Sequence, residues 1–209
     1  MNTSPHETPT LRPRMTTHPT PWSVEVVPGI LWATVEIHEQ GTWRPLDNTA
    51  LVRHGLTKER ALKIALKRLA HHDTAAAWHH IPEAPGVHIF TTGEVHSAAQ
   101  LLLLPKLFAD WPNAGLAACC PCEELLVCAP LRVVTDLEKI TILADANRQL
   151  APSAGTPLSP EVFWCDSERW HHLPIDHHKG ELHLHPPESL RLCIDRIAAL
   201  GLVATAGEA

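Results

Sequence analysis

No stretch of this sequence approaches the roughly 18 consecutive apolar residues that a membrane-spanning helix needs, so no helical span is expected. The opening segment, MNTSPHETPTLRPRMTTHPTPW, has no apolar h-region, and no signal peptide is read there. Basic residues are in deficit, 17 Lys+Arg against 23 Asp+Glu, and the net charge of −6 removes any overall drive toward nucleic acid or anionic lipid. The six cysteines follow no regular framework in a chain long enough to stabilise itself by burial; reduced thiols in a cytoplasm fit better than disulfides. Nucleophilic catalysis and phosphate binding have no motif behind them: G-x-S-x-G, the P-loop, G-x-G-x-x-G and H-E-x-x-H are all missing. Tyrosine is absent, and no internal repeat is found.

What is present is apolar residues at 44%, enough for a core, seven tryptophans, and 16 histidines, nearly as many as Lys+Arg together. Near pH 6 many of those imidazoles protonate, and the net charge moves toward zero or positive. The densest apolar run lies in residues 94–128, EVHSAAQLLLLPKLFADWPNAGLAACCPCEELLVC, which is expected to organise the chain.

Residues 1–21 are rich in Thr, Pro and His, carry no periodicity, and are expected to be disordered. Residues 203–209 are expected to fray. Between them a single domain is read over 22–202. Alternation in 23–27 and 30–38 and a short run at 42–46 predict a three-stranded meander over 22–46, with Trp32, Thr34, Glu36 and His38 outward. Pro28-Gly29 predicts a bulge or wider loop. Residues 57–70 predict a helix capped by Thr57, with Leu62, Ala65, Leu66 and Leu69 inward and a basic face of Lys58, Arg60, Lys63, Lys67 and Arg68 that could bind an acidic partner. Strands are read at 78–81 and 87–92. Ser97 and Gln100 form a capping box for a helix through the leucines, which Pro105 must kink or restart. Residues 116–120 and 125–129 are apolar on both faces, as central strands are, and 121–124 join them. Thr135 and Glu138 form a second capping box, for a helix to about 150. A hairpin is read at 162–173, a short strand at 181–185, and a helix from Pro187 with the stripe Leu190, Cys193, Ile194, Ile197 and Leu200.

Three pieces carry a resemblance: ALVRHGLTKERALKIALKRLAHH at 50–72, GEVHSAAQLLLLPKLFADW at 93–111, and GLAACCPCEELLVCAP at 115–130 followed by a helix and PLSPEVFWCDSERW at 157–170. In order and spacing, over 50–170, they resemble the YtpQ-like family of bacterial proteins, which implies no particular activity. The chain departs from that family's Pro-x-Arg-Asp turn, carrying Pro121-Cys122-Glu123-Glu124 instead, so an anion-holding role for the Arg does not carry over. The element order is similar to the α+β fold of type III secretion chaperones and YbjN-like proteins, and what that likeness implies is binding of another protein. The expected class is therefore α+β: one domain with a mixed or antiparallel sheet and helices mainly on one face.

Two clusters invite chemistry. Cys119 and Cys122 have C-x-x-C spacing, but Cys128, His171 or His172 would have to complete a zinc site from afar, and free Cys behaves as a small hydrophobe. In the His-rich end, 171–202, His183 and His185 share a strand face near Asp176, His177 and His178, so Asp176, His178, His183 and His185 are candidate ligands for zinc or another divalent metal. Glu123 and Glu124 are adjacent and make a poor acid–base pair. The leading expectation is a non-enzymatic module that binds another protein, with Trp32, Trp43, Glu123 and Glu124 as contacts and no cofactor. The alternatives are a metal-dependent enzyme built on the C-terminal His cluster and a subunit that self-associates as a homodimer through its Trp faces.

Overall fold

The computed structural model of the chain describes residues 9–71, 78–92, 96–108, 110–153, 156–178 and 181–201. Its class is α+β, and every described strand pair is antiparallel.

Order begins earlier than expected. Residues 11–16 form β1 (Leu11–Thr16), paired along its whole length with β3 (Leu31–Glu39). The expectation of disorder through residue 21 fails here because LRPRMT alternates after all: Leu11, Pro13 and Met15 are buried, and Arg12 and Arg14 lie on the other face. Residues 1–8 and 203–209, expected to be disordered and frayed, lie outside the described residues. The other edge of β3 is shared by β2 (Val24–Val27) at one end and β4 (Thr42–Pro45) at the other, so the expected meander is a four-stranded sheet. The bulge before Pro28-Gly29 is present, between Glu25 and Val27. Gln40 and Gly41 both take positive φ, 51° and 79°, as a two-residue hairpin turn demands. A helix that periodicity missed, α1 (Asn48–His54), follows directly. Asp47 caps it by accepting from the Ala50 N–H at 2.8 Å, and Gly55 ends it in the left-handed region. Helix α2 (Lys58–His71) matches its prediction, and Thr57 Oγ1 accepts from the Arg60 N–H.

The second sheet has six strands. They are β5 (Trp78–His80), β6 (His88–Phe90), β7 (Leu116–Cys122), β8 (Leu125–Pro130), β9 (Val162–Cys165) and β10 (Trp170–Leu173), in the order β10-β9-β7-β8-β6-β5. All seven residues of β7 are buried. Leu116, Ala118 and Cys120 enter one core with Phe90, Leu126 and Phe163; Ala117 and Cys119 enter another with Val127, Val162 and Trp164. A bulge between Cys119 and Cys122 absorbs Pro121, which has no N–H for the ladder.

The leucine run is not one α-helix. Residues 97–102 form a 3-10 turn and Leu104–Leu107 a short α3, with the break ahead of Pro105. Ser97 is no cap: buried, it accepts from the Thr92 N–H. This segment, Leu69 of α2, and Met15, Leu31 and Ala33 of the first sheet cover one face of the six-stranded sheet. Helix α4 (Glu138–Leu150) covers the other, joined by a hairpin of β11 (Ile175–His178) and β12 (Glu181–Leu184) and by α5 (Glu188–Ala199). Helical segments therefore lie on both faces, not mainly on one. The turn before α4 is tied not through Thr135 but through Asp136, which accepts from the N–H groups of Arg132 and Val133 and pairs with Lys139. Burial raises the Asp136 pKa, but those donors outweigh it and hold the carboxyl below its ordinary value.

Gly115, at φ 81°, lies against the Cys165 carbonyl and the Trp164 indole, with no room for a Cβ. Gly115→Ala is expected to destabilise the fold by about 3 kcal/mol or more, read as a lower urea midpoint at unchanged slope. A loss under about 1 kcal/mol would show that β7 and β9 can part there without penalty.

Candidate functional site

The outer face of the first sheet carries two of the residues chosen from the sequence, Trp32 and Trp43. Trp32 and Trp43 share that face but sit near opposite ends of β3: Trp32 is opposite Thr16, and Trp43 is opposite His38, about 20 Å further along. Both are half-buried. The Arg12 guanidinium stacks 4.2 Å over the Trp43 ring, with the His38 ring 5.1 Å away. Glu36, expected outward, is only 3% exposed because two arginines close over it: Arg12 Nε donates to Oε2 at 2.7 Å and Arg14 Nη1 to Oε1 at 3.0 Å. Arg14 also donates twice to Glu123 Oε1, from Nε at 3.0 Å and Nη2 at 2.8 Å. Glu123 is thus no projecting contact. It is 5% exposed and ties the β7–β8 turn to the first sheet; Glu124 beside it is half-buried. Bonding to Glu123, against the opposing pull of burial, raises the Arg14 pKa above its ordinary value, and Glu36 adds to the rise.

The cysteines do not converge. Cys119 enters one core and Cys120 and Cys128 the other, while Cys122 lies beyond the bulge. Burial pushes the Cys119 and Cys120 thiols up, Cys128 to about 12 and Cys122 to about 11, the reverse of a reactive thiolate. His171 and His172 are taken by Asp166 and Glu161, each at 2.7 Å. In the hairpin His185 meets Asp176 at 2.9 Å, and the His178 and His183 rings lie 6.4 Å apart. Among the described residues no group of three or more His, Cys, Asp or Glu side chains gathers as a metal site.

An open groove lies elsewhere, along α2. Its volume is about 650 Å³. Two rows of α2 line it, Lys58, Leu62, Leu66 and Ala70 in one and Glu59, Lys63 and Lys67 in the other, each at i,i+4 spacing. Leu103 and Lys106 of the leucine segment and Val24 of β2 complete it. The core-facing residues of α2 are Ala61, Ala65 and Leu69; Ala65 and Leu69 belong to the predicted stripe, while Ala61 takes the place of its Leu62 and Leu66. Leu62 and Leu66 are therefore left half-buried at the edge of the interior, where they form an apolar floor between lysines. Lys58 is fixed by donating to the Ser23 carbonyl at 2.9 Å. The basic face of α2 was legible from the sequence, whereas Val24, Leu103 and Lys106 were not, because they reach the groove only through tertiary packing. No described helix is long and apolar enough to cross a membrane.

Comparison with protein-family models, with curated proteins and with solved structures finds no match.

In a double-mutant cycle, Arg14→Ala and Glu123→Gln are expected to couple by about 1–3 kcal/mol in chemical denaturation, since Arg14→Ala strands the Glu123 carboxylate, whose side chain is only 6% exposed, without its cation. Additivity within about 0.5 kcal/mol would show that this ion pair does not fasten the two sheets.

Proposed function

We propose that the protein is a non-enzymatic binding module of the chaperone, immunity or adaptor sort, and that it holds another protein in the groove along α2. The observation that carries this reading is the pairing of an unfilled apolar floor, Leu62, Leu66 and the 38% exposed Val24, with lysines on both walls. A floor of half-exposed leucine is what a partner's apolar side chains remove from water, and each such side chain contributes about 1.5–3 kcal/mol when fully buried. The resemblance to chaperone-like α+β proteins points the same way. Elsewhere Cys119, Cys120, Cys122, Cys128 and Cys165 are buried, and His171, His172 and His185 sit on carboxylates.

The test is capture from an extract of the protein's own host cells. The wild-type chain is expected to retain one protein in stoichiometric amount. Lys63→Glu/Lys67→Glu, both on the exposed rim, should reduce that retention about ten-fold or more. Trp32→Ala, on the other face of the first sheet from Val24, should retain it fully. Failure to retain any stoichiometric protein, or equal retention by the lysine variant, would contradict the proposal.

A further inference from the structure

Resting on that reading of the groove, we infer that its occupant is an acidic amphipathic α-helix of about three to four turns. The length follows from α2. The lining runs from Lys58 to Ala70, and twelve residue steps at about 1.5 Å each span about 18 Å. One wall is the fourteen-residue α2 and the other is the single turn α3 with Leu103 just ahead of it, so a third helix laid along α2 meets its i,i+4 ridges with its own. A strand has less to pair with. The nearby β2 is four residues long and bulged between Glu25 and Val27, which makes it a short and irregular template.

The charge of the occupant follows from the rim. Among the described lining residues, Lys58, Lys63, Lys67 and Lys106 are accompanied by one acid, Glu59, a local excess of base in a chain whose net charge is −6. Carboxylates flanking an apolar stripe would meet lysines on both sides of the floor. Among the described helices, a second copy of this chain does not offer one of that kind. Val52 on α1 has no acidic neighbour in its helix, and α4 and α5 each carry two acids and two bases, Glu138 and Asp145 with Lys139 and Arg148, and Glu188 and Asp195 with Arg191 and Arg196. An anionic bilayer fits poorly as well: Lys63, Lys67 and Lys106 stand exposed while Leu62 and Leu66 are half-buried and Leu103 is buried, so a flat surface reaches the rim without the floor.

The test uses the full chain and a labelled peptide of about 14 residues, with leucine at i, i+3, i+4 and i+7 and glutamate on its flanks. Anisotropy should report a dissociation constant in the micromolar range, since so short a helix is marginal alone and orders on binding. Lys63→Glu/Lys67→Glu should weaken binding about ten-fold, as should a rise from about 0.05 M to about 0.5 M salt. A scrambled peptide of the same composition, and one with lysine in place of glutamate, should bind far more weakly. Equal binding of the scrambled or basic peptide would overturn the inference. So would phosphatidylserine vesicles that bind the chain while the peptide does not, or sedimentation showing a dimer that Lys63→Glu/Lys67→Glu dissolves. If a host protein is still lost with the lysine variant while the acidic peptide fails to bind, the acidic-helix inference falls and the binding-module reading survives.

Discussion

Burial of β7 on both faces is the constraint from which the remaining structure follows. A strand with no exposed residue needs a ladder on each edge and an apolar layer on each side, and β8 and β9 supply the ladders. Its side chains are small at the middle, Ala117, Ala118, Cys119 and Cys120, which lets both layers approach closely. Trp164 satisfies its indole N–H on the Ala114 carbonyl at 2.6 Å, so the largest side chain of that interior carries no unmet donor. Helices α4 and α5 close one side. The other is closed by α2, the leucine segment and the first sheet, and the groove is the seam they leave.

The first sheet is not an appendage. Its β1 strand places Met15 in the main core, and Arg14 reaches across to Glu123 at the β7–β8 turn. The arginine face of a segment that reads as disordered in the sequence neutralises Glu36 and Glu123, two carboxylates that could not otherwise stay buried. The acid at the 121–124 turn meets its base in β1, 109 residues away.

Much of this was legible. Two-faced apolarity marked β7 and β8, the 3.6-residue period marked α2, α4 and α5, and Pro105 marked the break in the leucine run. Local signals were over-read where tertiary contacts won. Ser97 and Thr135 have capping-box spacing, yet Ser97 is buried against Thr92 and Asp136 holds the turn before α4. Helix α1 was missed though Asp47 and Gly55 announce both its ends. β1 was hidden by its composition: Thr and Pro surround a six-residue alternation whose polar members are long arginines that pair with acids distant in sequence. The groove was half legible for the same reason, since one wall is α2 and the other arrives from residues 24, 103 and 106.

Binding is proposed at the seam along α2, outside the packed interior. Hydrogen–deuterium exchange of the chain, alone and with its captured partner, tests that most directly. The account predicts that the β7 and β8 amides exchange slowest in both states, and that the partner protects residues 58–71 and 103–106. Protection falling instead on the β7–β8 turn or the β11–β12 hairpin, with α2 unchanged, would contradict it.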